Sequence, residues 1–213
     1  MTYVDQMLLN AKRVETTRSA LSAGANVNAR DKFGKTALMC AHTAEQTKLL
    51  IAAGADVNAK TSDGGTALMY ANTAEQTKLL IAAGADVNAR AEDGNTALMN
   101  AETAEQAKLL IEAGADANAK DEDGNTALYY AETKEQEKLI IKAMYLQYEK
   151  IEETKKRIKS TTRSLKGGKS GVVFADTLAD MKRSGKIKSD VTPKMAKKLR
   201  TQWMKGMKSN GGR

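Results

Sequence analysis

The sequence predicts an all-α solenoid: stacked helix–turn–helix units joined by finger loops, closed by a long C-terminal capping helix and followed by a basic helical tail. Three observations carry that expectation. The chain repeats itself every thirty residues, the helix start and stop signals fall at the same place in successive units, and the charge changes abruptly after residue 150. Gly24, Gly54, Gly84 and Gly114 recur at that period, as do Leu38, Leu68, Leu98 and Leu128, and Glu45, Glu75, Glu105 and Glu135. Residues 43–59 and 73–89 are identical, TAEQTKLLIAAGADVNA.

Five units follow from the period: 1–30, 31–60, 61–90, 91–120 and 121–150. The third shows the elements in order. Asp63-Gly64 is turn chemistry that tolerates positive φ at a loop tip. Thr66 is placed to cap a short helix beginning at Ala67, with Leu68 and Ala71 one helical step apart and facing inward. Thr73-Ala-Glu-Gln76 has the capping-box spacing, in which hydroxyl and amide satisfy each other's backbone donors at a helix start. The spacing recurs at Thr43–Gln46, Thr103–Gln106 and Thr133–Gln136. A second helix then runs to Gly84, where a left-handed C-terminal residue is required, with Leu79, Leu80 and Ala83 as its apolar stripe. Residues 1–30 share the register through Leu8, Ala11, Glu15 and Gly24 but lack the Thr-Ala-Leu start, and read as a divergent N-terminal cap.

The string GxTALMxAxTAEQxKLLIxAGADVNA resembles the ankyrin repeat, closely over residues 31–143 and loosely over 1–30. Two departures stand out. The period is 30 rather than the usual 33, which places the missing residues in the turn between the helices. The family's Thr-Pro-Leu-His is here Thr-Ala-Leu-Met, so the usual His contribution to bonding between repeats is absent.

In the fifth unit Met144 stands where the others have Gly, so the helix is expected to continue as an extended capping helix over 144–165. Glu152/Lys156 and Glu153/Arg157 are spaced as helical ion pairs. Met144, Tyr148, Ile151, Ile158 and Leu165 form an apolar seam that fits either a partner helix or a terminal cap; too few heptads are present to favour a coiled coil. Lys166–Gly171 reads as a flexible linker, and it lacks the first glycine of a phosphate-binding loop, Arg163 standing there. Within the basic tail, 166–213, short helices are expected near 175–183 and 193–208. The second is opened by Thr192-Pro193 and carries Met195, Leu199, Trp203 and Met207 among Lys194, Lys197, Lys198, Arg200 and Lys205.

Composition excludes several function classes. One Cys leaves no internal disulfide or multi-cysteine zinc site, and one His removes most metal and triad chemistry. No cofactor site, metal site or catalytic constellation is expected, because Cys40 and His42 are not spaced to face each other and the carboxylates fall on loops and helix faces. Without an apolar leader in Met1–Arg13 or a run of ~18 apolar residues, a soluble cytoplasmic protein is expected.

The net charge of +8 divides unevenly: residues 1–150 carry 16 basic and 21 acidic side chains, residues 151–213 carry 18 and 5. Within the array the units run +2, +1, −1, −4 and −3. Variation among the units gathers at the loop tips and on the first helix, in the series Cys40, Tyr70, Asn100, Tyr130 and His42, Asn72, Glu102, Glu132. In the family this sequence resembles, finger loops and first helices line a concave binding surface. By position that surface is Phe33, Tyr70, Asn100, Tyr130, Glu102 and Glu132, with the finger-tip carboxylates Asp93 and Asp123. The resemblance therefore implies a non-catalytic adaptor or inhibitor that binds another protein. The alternatives are a nucleic-acid-associated protein whose residues 166–213 grip phosphates, and, less favoured, a membrane contact through Leu199, Trp203 and Met207.

Overall fold

The computed structural model describes the backbone of residues 1–165 and the side chains of residues 1–156. The linker, the helices expected near 175–183 and 193–208, and with them Lys194, Lys197, Lys198, Arg200, Trp203 and Lys205, lie outside the described residues, as do the side chains of Ile158 and Leu165. The chain divides into two compact units, Met1–Ile140 and Ile141–Arg213.

All described regular structure is helical: α1 (Tyr3–Leu9), α2 (Val14–Ser22), α3 (Ala44–Ala52), a 3₁₀ helix (Ala67–Tyr70), α4 (Ala74–Ala82), α5 (Ala104–Glu112) and α6 (Lys134–Leu165). In the first unit each of α1 to α4 packs on the next α-helix in the chain, the nearest-neighbour pattern of a solenoid. Two buried columns form the core. One is Leu8, Leu38, Leu68 and Leu98; the other is Ala20, Leu50, Leu80, Leu110 and Ile140, none more than 3% exposed.

The long helices begin as their spacing predicts. The hydroxyls of Thr43, Thr73 and Thr103 accept from the N–H three residues on, and at Thr103 the Gln106 side chain completes the capping box. In the second and third units Gln46 and Gln76 instead accept from the N–H of His42 and Asn72, one residue earlier. Gly54, Gly84 and Gly114 follow the helices with φ of 85°, 87° and 94°, the left-handed region that glycine adopts without a Cβ penalty.

The first helix differs from expectation. Thr66 makes no side-chain cap, Ala67–Tyr70 forms one 3₁₀ turn, and the equivalent residues 37–40, 97–100 and 127–130 form only turns. Its successor Ala71 is already extended, at φ −71° and ψ 118°. The residues missing from the thirty-residue period are therefore taken from the first helix as well as from the connection after it. Four residues suffice for a 3₁₀ turn but not for a stable α-helix. The N-terminal unit keeps a true first helix: Thr2 and Asp5 form a reciprocal capping box on α1, and the Asp5 carboxylate also accepts from the N–H of Asn26 at 2.8 Å. Those backbone donors hold the Asp5 carboxyl below the usual carboxylate range.

The apolar stripe is also redrawn. Leu79 and Ala83 are half-buried, whereas Gln76 and Thr77 join Leu80 in the interior. Gln76 is 2% exposed, and its Nε2 donates to the carbonyl of Ala41 at 2.9 Å and to Oγ1 of Thr47 at 3.2 Å, both in the preceding repeat. Gln46, Gln106 and Gln136 make the same reach, to the carbonyls of Ala11, Ala71 and Ala101. This glutamine ladder supplies the polar contact between repeats that a Met in place of His cannot. Met39, Met69 and Met99 are buried there, and the hydroxyls of Thr36, Thr66 and Thr96 find no hydrogen-bond partner.

A second ladder runs along the other end of the repeats. Asn58 donates from Nδ2 to the carbonyl of Gly84 and accepts at Oδ1 from the N–H of Asp86, at 3.0 and 2.7 Å. Asn28 and Asn88 repeat both bonds one step before and after. Each of these asparagines satisfies one carbonyl and one N–H of the next repeat just past its long helix, so neighbouring repeats are bonded there as well as through the glutamines.

In the second unit the described part is the continuation of α6. Ala143 and Met144 are buried, Leu146 is 53% exposed, and Tyr148 and Ile151 are half-buried. On this helix Glu152 pairs with Lys155 at 2.7 Å, a three-residue step.

Candidate partner-binding surface

Four fingers precede the 3₁₀ helix and its equivalent turns, and each is closed on itself. The N–H groups of Asp31, Thr61, Ala91 and Asp121 donate to the carbonyls of Lys35, Gly65, Asn95 and Asn125 at 2.9–3.0 Å. At the tips Gly34, Gly64, Gly94 and Gly124 have φ near 80°, as Asp63-Gly64 turn chemistry requires. Neighbouring fingers are joined by single backbone bonds: Ser62 N–H to Phe33 C=O, Glu92 to Asp63, and Glu122 to Asp93, at 2.8–2.9 Å. The finger tips are thus held in register by main chain, leaving their side chains free to differ.

The side chains expected to face a partner are placed as follows. Phe33 is 56% exposed with Lys32 Nζ 4.8 Å from its ring centroid, and Tyr70 is half-buried with Lys35 Nζ 4.7 Å over its ring. Phe33 and Tyr70 line one groove of about 360 Å³ together with Lys35, Thr61, Ser62 and Asp63. Asn100 is exposed and donates to the Met69 carbonyl at 3.4 Å. Tyr130 donates its hydroxyl to Asp121 at 2.5 Å, which holds the Asp121 carboxyl below its ordinary value and pushes the Tyr130 phenol above its own. Glu102, Glu132, Asp93 and Asp123 are all exposed, and none lines the groove.

Several residues of this surface carried no sequence signal. Lys35 matters because it lies over Tyr70, a contact across one repeat. The Thr61 hydroxyl donates to the Asp63 carboxylate, and that bond holds Asp63 below the usual carboxylate range. Gly65 is the least visible: an added Cβ would lie 2.9 Å from both the Tyr70 hydroxyl and Thr61 Oγ1, so the missing side chain is what lets Tyr70 lie against the finger. Lys35, Asn95 and Asn125 occupy that position elsewhere, and the irregular Gly was the one available hint. Tyr129 is 72% exposed and meets Tyr130 edge-to-face at 5.2 Å, an aromatic pair. The doubled Tyr in place of Met-Xaa could have marked it.

Among the described residues no group of three or more His, Cys, Asp or Glu side chains is arranged to hold a metal ion, and no helix is long and apolar enough to cross a membrane. Cys40 is half-buried, and that burial pushes its thiol up, away from the reactive thiolate. The fingers and first turns thus carry aromatic, basic and acidic side chains that are exposed or half-buried.

No curated protein matches the sequence. A family model described as ankyrin repeats (3 copies) matches residues 7–91 and 72–153, and repeats of this kind are generally protein–protein interaction modules. With its capped long helices, its glycine-tipped fingers and its stacking through buried rungs, the chain belongs to the ankyrin-repeat family.

Proposed function

We propose that this protein is a non-catalytic adaptor or inhibitor that holds a protein partner on its concave face, the basic tail 166–213 adding an electrostatic contact. One observation carries the reading: between near-identical repeats the finger tips and the position of Cys40, Tyr70, Asn100 and Tyr130 differ and are exposed or half-buried, while the rung residues Gln46, Gln76, Gln106 and Gln136 and Asn28, Asn58 and Asn88 are the same. Tyr70 and Tyr130 present large contact area with few rotors to immobilise, and Phe33 stands free at the row's end. A preformed row of this kind costs little ordering on association, and the tail raises the encounter rate.

The test is affinity capture with the full chain and with Tyr70→Ala/Tyr130→Ala, whose far-UV circular dichroism is checked first. The expected result is loss of the captured partner with the repeats still folded. Undiminished capture by the folded double variant would place the binding surface elsewhere.

The charge of residues 151–213, 18 basic against 5 acidic, favours a second reading in which the tail contacts nucleic-acid phosphates. A chain ending at Leu165 then loses affinity for a duplex and the steep salt dependence that goes with it. Equal binding by both lengths removes that reading.

A further inference from the structure

We propose that the finger row receives one extended, bipolar segment of the protein partner in a single direction: its acidic end, carrying an apolar anchor side chain, over Phe33 and Tyr70, and its basic end over the third and fourth fingers. This rests on the concave-face reading and adds the chemistry and direction of the occupant.

The row is polarised from end to end. At the first finger, Lys32 and Lys35 stand beside the two aromatic rings, and among the described residues neither has a carboxylate within ion-pair distance. The groove between them, about 360 Å³, takes a large apolar side chain between the Phe33 and Tyr70 rings. Asp63 is the one carboxylate on its wall, and the Thr61 hydroxyl already engages it. At the other end the tips are Glu92-Asp93 and Glu122-Asp123, four exposed carboxylates with no ion-pair partner among the described residues.

The backbone bonds between tips fix the spacing of these ends. With the helices of successive repeats packed at roughly 8–10 Å, the first and fourth fingers, three steps apart, lie about 25–30 Å from each other, some eight or nine residues of extended chain at ~3.3 Å each. A segment of that length laid the other way sets carboxylates on Glu92-Asp93 and Glu122-Asp123 and cations on Lys32 and Lys35. Such like-charge juxtaposition rejects the reversed orientation.

Cys40, the chain's single cysteine, reports on direction: it is half-buried on the turn that follows the first finger, at the position Tyr70 takes one repeat on. Two peptides of about twelve residues share one sequence, a leucine among aspartates at one end and arginines at the other, and differ only in which end carries a chloroacetyl group. Each is incubated with the full chain at alkaline pH, where the ionised fraction of the Cys40 thiol, kept small by burial, displaces chloride, and alkylation is followed by mass spectrometry. The acid-end reagent is expected to modify Cys40 at least about tenfold faster than the basic-end reagent, and Lys32→Glu/Lys35→Glu to abolish the difference. Both peptides meet the same basic tail, so unspecific attraction cancels in the ratio. Equal rates, a reversed ratio, or rates no greater than with free chloroacetamide overturn the proposal. So does protection of Cys40 that grows with protein concentration alone, since a second copy would then occupy the face. If the rates are equal while Tyr70→Ala/Tyr130→Ala still abolishes capture, the concave-face reading stands and the directional one fails.

Discussion

Gln76→Leu tests the glutamine ladder directly. The replacement fills roughly the same space but removes Nε2, which donates to the Ala41 carbonyl at 2.9 Å and to Thr47 Oγ1 at 3.2 Å, and Oε1, which accepts from the Asn72 N–H at 3.3 Å. Ala41 and Thr47 are 6% and 1% exposed, so water cannot replace the lost donor at their oxygens. A buried acceptor left unpaired costs ~1–3 kcal/mol, and Thr47 keeps its own bond to the Thr43 carbonyl, so the penalty rests mainly on Ala41. Part of it is returned by burying a fully apolar side chain, leaving an expected loss of about 1–2 kcal/mol. Urea unfolding followed by far-UV circular dichroism measures it, and because Gln76 joins two repeats the transition should also broaden. Gln76→Glu supplies the control. Its carboxylate would face the Ala41 carbonyl, so folding raises its pKa above the ~4.3 of an unfolded Glu. The charged form is the destabilising one, so its deficit relative to wild type must shrink as pH falls through the folded pKa. A Gln76→Leu loss below about 0.5 kcal/mol, or a Gln76→Glu deficit independent of pH, would refute the ladder as a source of cohesion.

Other substitutions separate the remaining contributions. Thr66→Val removes a buried hydroxyl that has no hydrogen-bond partner, and is expected to be neutral or to raise the urea midpoint; a loss of more than about 1 kcal/mol contradicts the unpaired state. Gly65→Ala forces Tyr70 and Thr61 aside and should cost ~1–3 kcal/mol, most of it relieved in Gly65→Ala/Tyr70→Ala, a coupling that a double-mutant cycle reads. Gly84→Ala meets nothing within 4 Å and should cost only the ~1–2 kcal/mol of left-handed backbone, whereas Gly94→Ala also meets the Asp121 Cα at 2.9 Å and should lower the melting temperature further. Tyr130→Phe removes the donor that lowers the Asp121 pKa. That contribution is present above the unfolded Asp value of ~3.9 and lost as pH falls through the lowered folded value, so variant and wild-type melting temperatures should differ at neutral pH and converge in acid.

The two helical positions in each repeat were not equally legible. Thr43, Thr73 and Thr103 announce α3, α4 and α5 because capping is local: hydroxyl and amide act within one turn, so their spacing is the signal. The same reasoning misplaced Thr66, because the Thr-Ala-Leu start looks local while its length is set by how soon Ala71 must turn extended to meet the next helix. Gln76 was read as half of a capping box, and its second task stayed hidden: a glutamine with an acceptor and a donor can serve its own helix and the preceding repeat at once, and the target lies 35 residues away in sequence. Phe33 and Tyr70 were legible singly as deviations from the repeat. That they share a groove depends on Gly65 and on the tip-to-tip backbone bond, neither of which has a periodic signature.

The division of labour within each repeat explains how the surface can specialise without loosening the stack. The rungs between repeats use Gln46, Gln76, Gln106 and Gln136 on the helices, Asn28, Asn58 and Asn88 after them, and main-chain groups at the fingers. The varied position shared by Cys40, Tyr70, Asn100 and Tyr130 supplies only weak contacts to the preceding repeat, the 3.4 Å bond of Asn100 to Met69 and the Lys35 ammonium over the Tyr70 ring. A side chain there can therefore change from thiol to phenol to amide while the neighbour's contacts persist. It follows that Tyr70→Asn, which copies the residue one repeat on, should leave the urea midpoint within about 0.5 kcal/mol of wild type while weakening partner capture. Were stability to fall by several times that amount, the varied face would be part of the scaffold, and its differences between repeats would need a structural rather than a recognition explanation.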